Sequence, residues 1–122
     1  MAKLDENKKN KLTEFVKFVK GELGIKKMPV ITIQNHRNDI KTTAHYDYTK
    51  EPKEVKVCMK NRALVDVMRS VAHEMVHHKQ FEDGRLKEKP QNIGGEIEDE
   101  ANAKAGQYIK MFAQIDESIY EE

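Results

Sequence analysis

The chain has 122 residues, the size of one domain with one modest core, and reads as a single domain spanning 1–122. Lys and Arg number 22 against 21 Asp and Glu, so no overall field selects nucleic acid or an anionic membrane, and neither is an expected partner. Charged residues make up 35% of the chain and hydrophobic residues 38%, so the core has to come from well-placed apolar stripes.

From Asp5 to Glu22 the residues Leu12, Phe15, Val16, Phe18, Val19 and Leu23 recur at steps of three and four, which predicts an amphipathic helix ended by Gly21 and Gly24. Pro29-Val30-Ile31-Thr32-Ile33, bounded by Asn35 and Asn38, reads as a strand. Thr43 to Tyr48 and Glu54 to Met59 read as two more, joined as a hairpin through the turn-prone Thr49-Lys50-Glu51-Pro52-Lys53. A long helix follows from Arg62 to about Phe81, apolar over most of its circumference and therefore buried. Its one polar stripe is Asp66, Ser70, His73 and His77. After a loop containing Asp83-Gly84-Arg85 and Lys89-Pro90-Gln91-Asn92, Gly94-Gly95 opens a last helix, from about Glu96 to Ile115, with Ile97, Ala101, Ala105, Tyr108, Ile109 and Phe112 on its apolar face. The lone Cys58 has no partner for an intramolecular disulfide and reads as a small buried strand residue. Met1 to Glu6 holds no apolar signal-type region, and no apolar run approaches the ~20 residues of a membrane span. A soluble, cytoplasmic protein is the expectation.

The polar stripe carries the chemistry. Residues four apart on a helix lie one above the other, so His73 and His77 can present two imidazole nitrogens to one ion. Glu74 projects beside the pair, placed to reach a water on the metal without entering the ligand set. Zinc suits this pattern, one ion per chain, because three protein ligands leave a position for a water whose pKa falls toward ~7. Glu74 is then the general base, taking the proton and delivering it to the leaving amine. The third ligand is sought among Glu96, Glu98, Asp99 and Glu100. Glu100 is the choice, because the small Ala101 after it lets its helix approach the metal. Glu98 is the rival, nearer the apolar face in helical projection, and Glu96 is more remote.

His73-Glu74-Met75-Val76-His77 followed by a glutamate on a downstream helix resembles the gluzincin metallopeptidases, especially the single-domain minimal gluzincins and the ImmA/IrrE-type peptidases. In the latter the third ligand is the glutamate of a Glu-Ala-Asn segment followed by a small residue, which matches Glu100-Ala101-Asn102 with Ala105. His77-His78-Lys79-Gln80 is also similar to small phage-encoded metallopeptidases. The likeness spans roughly Thr43 to Ile109. Lys104 stands where the ImmA/IrrE pattern has Phe, the Leu-Leu-x-Pro ending is missing, and Gln80, Phe81 and Gly84 replace a metzincin-type extension. The resemblance implies a zincin-like α+β fold: an N-terminal helix, a small three-stranded antiparallel or mixed sheet, a buried active-site helix and a C-terminal glutamate-bearing helix. It also implies a zinc endopeptidase.

The substrate expected of such a fold is an extended peptide laid along a strand edge, here offered by the hairpin of Ala44 to Tyr48 and Glu54 to Met59. Tyr46, Tyr48, His45 and Tyr108 could each contact substrate or an oxyanion, but no spacing marks them: the tyrosines read first as packing or amphipathic surface residues, His36 and His45 as surface or turn residues, and His78 as structural or exposed. Two other functions compete. One is a zinc-stabilised, non-catalytic interaction module, against which Glu74 speaks, since a structural site fills its four positions with protein ligands. The other is a self-inhibited peptidase whose acidic end, Asp116 to Glu122, fills the cleft.

Overall fold

A computed structural model describes residues 6–34, 44–60, 62–85 and 95–121. Helix α1 spans Glu6–Leu23 and buries Leu12, Phe15, Val19 and Leu23, the stripe that its three-and-four spacing predicts. Phe15 meets Phe112 edge-on with ring centroids 5.4 Å apart, an arrangement favoured by the aromatic quadrupole. Gly21 lies inside the helix, contrary to expectation. The turn that ends it is at Gly24, whose φ of 71° is a left-handed conformation only glycine adopts at little cost, and whose N–H donates to Lys20 O at 2.9 Å.

Three strands follow: β1 (Val30–Gln34), β2 (Ala44–Asp47) and β3 (Glu54–Cys58). The hairpin is present, β2 running antiparallel to β3 with Ala44 opposite Val57 and Tyr46 opposite Val55. β1 joins the other side of β3 in parallel, from Val30 opposite Glu54 to Gln34 opposite Cys58. The sheet is therefore mixed, in the order β1-β3-β2. Val55 and Val57 alternate inward and are fully buried in the core, joined by Tyr46 of β2, while Ile31 and Ile33 of β1 pack against it. The bounding residues Asn35, Asn38 and Thr43 lie outside the described residues.

Helix α2 (Leu64–Glu82) is the spine. Leu64, Val67, Met68, Val71, Ala72, Met75 and Val76 are all buried. α1 ends beside the end of α2, because the backbone N–H groups of Lys26 and Lys27 both donate to the Glu82 carboxylate, at 3.1 and 2.9 Å. α3 (Glu96–Ile115) starts at that same end and returns along α2, with Ala101 and Ala105 wholly buried in the contact. The protein is thus α+β, with three α-helices and a small three-stranded mixed sheet among the described residues. No helix among the described residues is long and apolar enough to cross a membrane.

The acidic end does not behave as a free strap. Glu117–Glu121 forms a short 3-10 turn in which Ile119 is wholly buried. Lys11 of α1 holds it, hydrogen-bonding Ser118 and lying 4.0 Å from the Asp116 carboxylate. The expectation that this segment fills the cleft is corrected for the residues described: burial of Ile119 anchors it in the core.

Candidate metal centre

The polar stripe of α2 divides in two. Its first half is used structurally: Arg62, just before the helix, donates to Cys58 O at 2.7 Å, to Asp66 O at 2.8 Å and to Ser70 Oγ at 2.6 Å, tying the end of β3 to the first turns of α2. The second half is His73 and His77, one turn apart and facing Glu98 at the start of α3. Glu98 straddles the pair, with Oε1 at 3.2 Å from His73 Nε2 and Oε2 at 3.0 Å from His77 Nε2. The two Nε2 atoms are 3.2 Å apart.

These separations provide a test of fit. Donor atoms about 2.0–2.1 Å from a tetrahedral zinc ion lie roughly 3.3 Å from one another. The two Nε2 atoms, 3.2 Å apart, and the 3.2 and 3.0 Å that separate them from Glu98 Oε1 and Oε2 respectively are close to that, and His73, His77 and Glu98 form a group able to hold a metal ion. Two imidazoles and a carboxylate are a donor set that zinc takes readily.

Electrostatics agree with this geometry. Burial, aided by His77, lowers the His73 pKa, although Glu98 and a hydrogen bond to the Asn102 side chain oppose the shift. A neutral imidazole is the form that binds a metal. For Glu74, burial and then the charge of Glu98 push the carboxyl up to about 8. That carboxyl can carry a proton near neutrality, as a group that accepts and returns one must. A bound dication would favour its ionised form.

Glu100 is not beside the imidazoles, and the expectation that it completes the ligand set is corrected in favour of Glu98. Its Oε1 accepts from Gln80 Nε2 and from Arg85 Nη1, both at 2.8 Å, and Lys104 stands 3.8 Å from its Oε2. Gln80 and Arg85 hold its carboxyl below the ordinary carboxylate value. The reason is the roll of α3. At 3.6 residues per turn Glu98 lies about 60° from Ala101, on the flank facing His73, whereas Glu100 lies about 100° away on the other flank. Asn102, one turn after Glu98, hydrogen-bonds His73 from that first flank. Glu96 at the helix start is exposed.

Gln80 is a site residue that sequence reasoning missed. It is almost wholly buried, and its Oε1 lies 2.8 Å from His77 Nδ1. The available signal was an amide three residues after His77 on a helix with little polar surface.

The remaining candidates are packed. His78 is buried on a different face of α2, with Nδ1 at 2.7 Å from the Tyr46 hydroxyl and Nε2 at 2.6 Å from Lys27 O. Tyr46 is buried against it, Tyr48 meets Phe81 edge-on at 5.3 Å, and Tyr108 meets Phe18 edge-on at 6.4 Å. His45 sits in β2, half-buried, while His36 lies outside the described residues. The strand-edge expectation needs one correction. β3 has a neighbour on each side and offers no edge, so among the described residues the sheet edges are β1 and, from the hairpin, β2.

No protein-family model, curated protein or solved structure matches the chain. The chemistry of the site therefore carries its functional reading.

Proposed function

We propose that the protein is a zinc metallopeptidase of gluzincin type with a zincin-like fold, its ion held by His73, His77 and Glu98. The observation that supports this most is the convergence of two imidazole Nε2 atoms 3.2 Å apart on the Glu98 carboxylate, whose Oε1 and Oε2 lie 3.2 and 3.0 Å from His73 and His77, with the Glu74 carboxyl raised by burial and by the charge of Glu98. When bound, zinc supplies Lewis-acid polarisation of a peptide carbonyl and a water acidic enough to be deprotonated near neutral pH.

The protein's own residues do the rest. His73 and His77 direct Nε2 lone pairs to one point, and Glu98 contributes the negative charge that makes the site attractive to a dication. Glu74, adjacent to His73 in sequence yet outside the ligand set, accepts a proton at its carboxylate and passes it to the leaving amine nitrogen. A peptide bound in extended form along a sheet edge would bring its carbonyl to this group. Substituting Glu74→Gln separates chemistry from binding, since the amide keeps the shape and cannot accept the proton. Peptidase activity should fall by roughly 10²–10⁴-fold with one zinc per chain retained. Full activity in that variant would remove the mechanism, and a wild-type protein that takes up no zinc would remove the metal centre.

A further inference from the structure

The hydrogen bonds around Gln80 run in one direction only. Ile97 O and the Glu100 carboxylate can only accept, so the Gln80 atom facing them, at 3.1 and 2.8 Å, is the amide nitrogen, and both of its N–H bonds are used. Exchanging O and N would point a carbonyl at two acceptors. The Gln80 oxygen therefore faces His77, and its contact at 2.8 Å requires a proton on His77 Nδ1. A neutral imidazole with a proton on Nδ1 has its lone pair on Nε2, the atom beside Glu98 and His73.

We propose that Gln80 is the positioning residue of this metal centre, setting the tautomer and ring angle of His77 and, through Ile97 O, the placement of the helix start that bears Glu98. The inference rests on the metal-centre reading above. One buried side chain thus fixes two of the three donors: its carbonyl orients His77, and one of its N–H bonds grips the carbonyl of Ile97, the residue before Glu98. Glu100 and Arg85 lock that amide from the solvent side through the shared Oε1, with Arg85 brought back after α2 by the left-handed turn at Gly84 (φ 76°). Glu100, chosen from the sequence as a ligand, acts two hydrogen bonds further out, as the anionic link in a chain running Arg85, Glu100, Gln80, His77. Outer partners of this kind typically change metal affinity by about 10–100-fold.

The test compares wild type with Gln80→Met, which keeps length and volume and removes both amide functions, and with Glu100→Ala, which frees the amide at a partly exposed position. Zinc affinity is measured by competition with a chromophoric chelator, and the His77 tautomer of the zinc-free proteins by long-range proton–nitrogen NMR at mildly alkaline pH. Wild type should show His77 protonated at Nδ1. Gln80→Met should lose that signature and bind zinc about 10–100-fold more weakly, and Glu100→Ala should keep the tautomer and lose severalfold in affinity. A folded Gln80→Met with wild-type affinity and an unchanged tautomer overturns the proposal. If Gln80→Met does not fold, an unchanged affinity in Glu100→Ala overturns it. A wild-type protein that binds no zinc defeats the metallopeptidase reading, whereas a zinc-binding wild type matched by both variants defeats only the role of Gln80. In the first case the wild-type tautomer still decides whether Gln80 orients His77, and a proton on Nε2 overturns that.

Discussion

Helix α2 carries two buried histidines side by side, and they show how differently the same residue can be used. His77 and His78 are equally inaccessible, at 3% exposure each. Both nitrogens of His78 are committed to groups that close the account: Nε2–H donates to Lys27 O, with the Glu82 carboxylate 3.4 Å away, and Nδ1 accepts from the Tyr46 hydroxyl. Burial and the charges of Glu82, Asp47 and Glu51 raise the Tyr46 pKa far above its ordinary value, which keeps that hydroxyl a donor. His77 is fixed on one side only. Its Nδ1–H is held by Gln80 while Nε2 meets a second imidazole nitrogen and a carboxylate oxygen, three donors of lone pairs gathered at one point. Such a gathering is unfavourable without a cation or shared protons among them. Burial alone therefore does not mark a metal ligand; convergence with other acceptors does.

The largest effect that sharpens this contrast is on metal content. His77→Ala should abolish stoichiometric zinc in elemental analysis, and His78→Phe should retain one zinc per chain; loss in both would break the distinction. Next is the stabilisation that zinc provides. At a free concentration about 1,000 times the dissociation constant, zinc should add roughly 4 kcal/mol to unfolding free energy in wild type and in His78→Phe, and nothing in His77→Ala, as read by chemical denaturation.

Smaller effects belong to the structural face. His78→Phe leaves the Tyr46 hydroxyl and Lys27 O without their partner and should cost about 1–3 kcal/mol in the metal-free protein. Tyr46→Phe removes one hydrogen bond and should cost about 1 kcal/mol, with zinc affinity unchanged in a chelator competition. A drop in zinc affinity in Tyr46→Phe would mean that the two faces are coupled through α2.

The hairpin, the helices and the His73/His77 pair were legible because each depends on neighbours close in the chain. Alternation in Val55-Lys56-Val57, the apolar spacing in α1, and the fixed i to i+4 geometry of α2 are all local. The acid facing the imidazoles was harder to read, because it depends on how α3 is rolled against α2. Projection from Ala101 and Ala105 does point to Glu98, since close packing turns those alanines, and with them the adjoining flank, toward α2. The attraction of Glu100 came from its neighbours Ala101 and Asn102. Both residues do sit at the site, but they serve Glu98 and His73.

Sequence by itself determined the order of elements, the buried helix, and two imidazoles presented on one side of it with Glu74 beside them. Tertiary structure alone decided that β1 adds in parallel to β3, that the acidic end is anchored by Ile119, and that Gln80 joins His77 to the start of α3. The physical reason is the range of the forces involved. Helical spacing and strand alternation are set by the backbone within a few residues, whereas the choice among Glu96, Glu98, Asp99 and Glu100 is made by the packing of small residues against another helix.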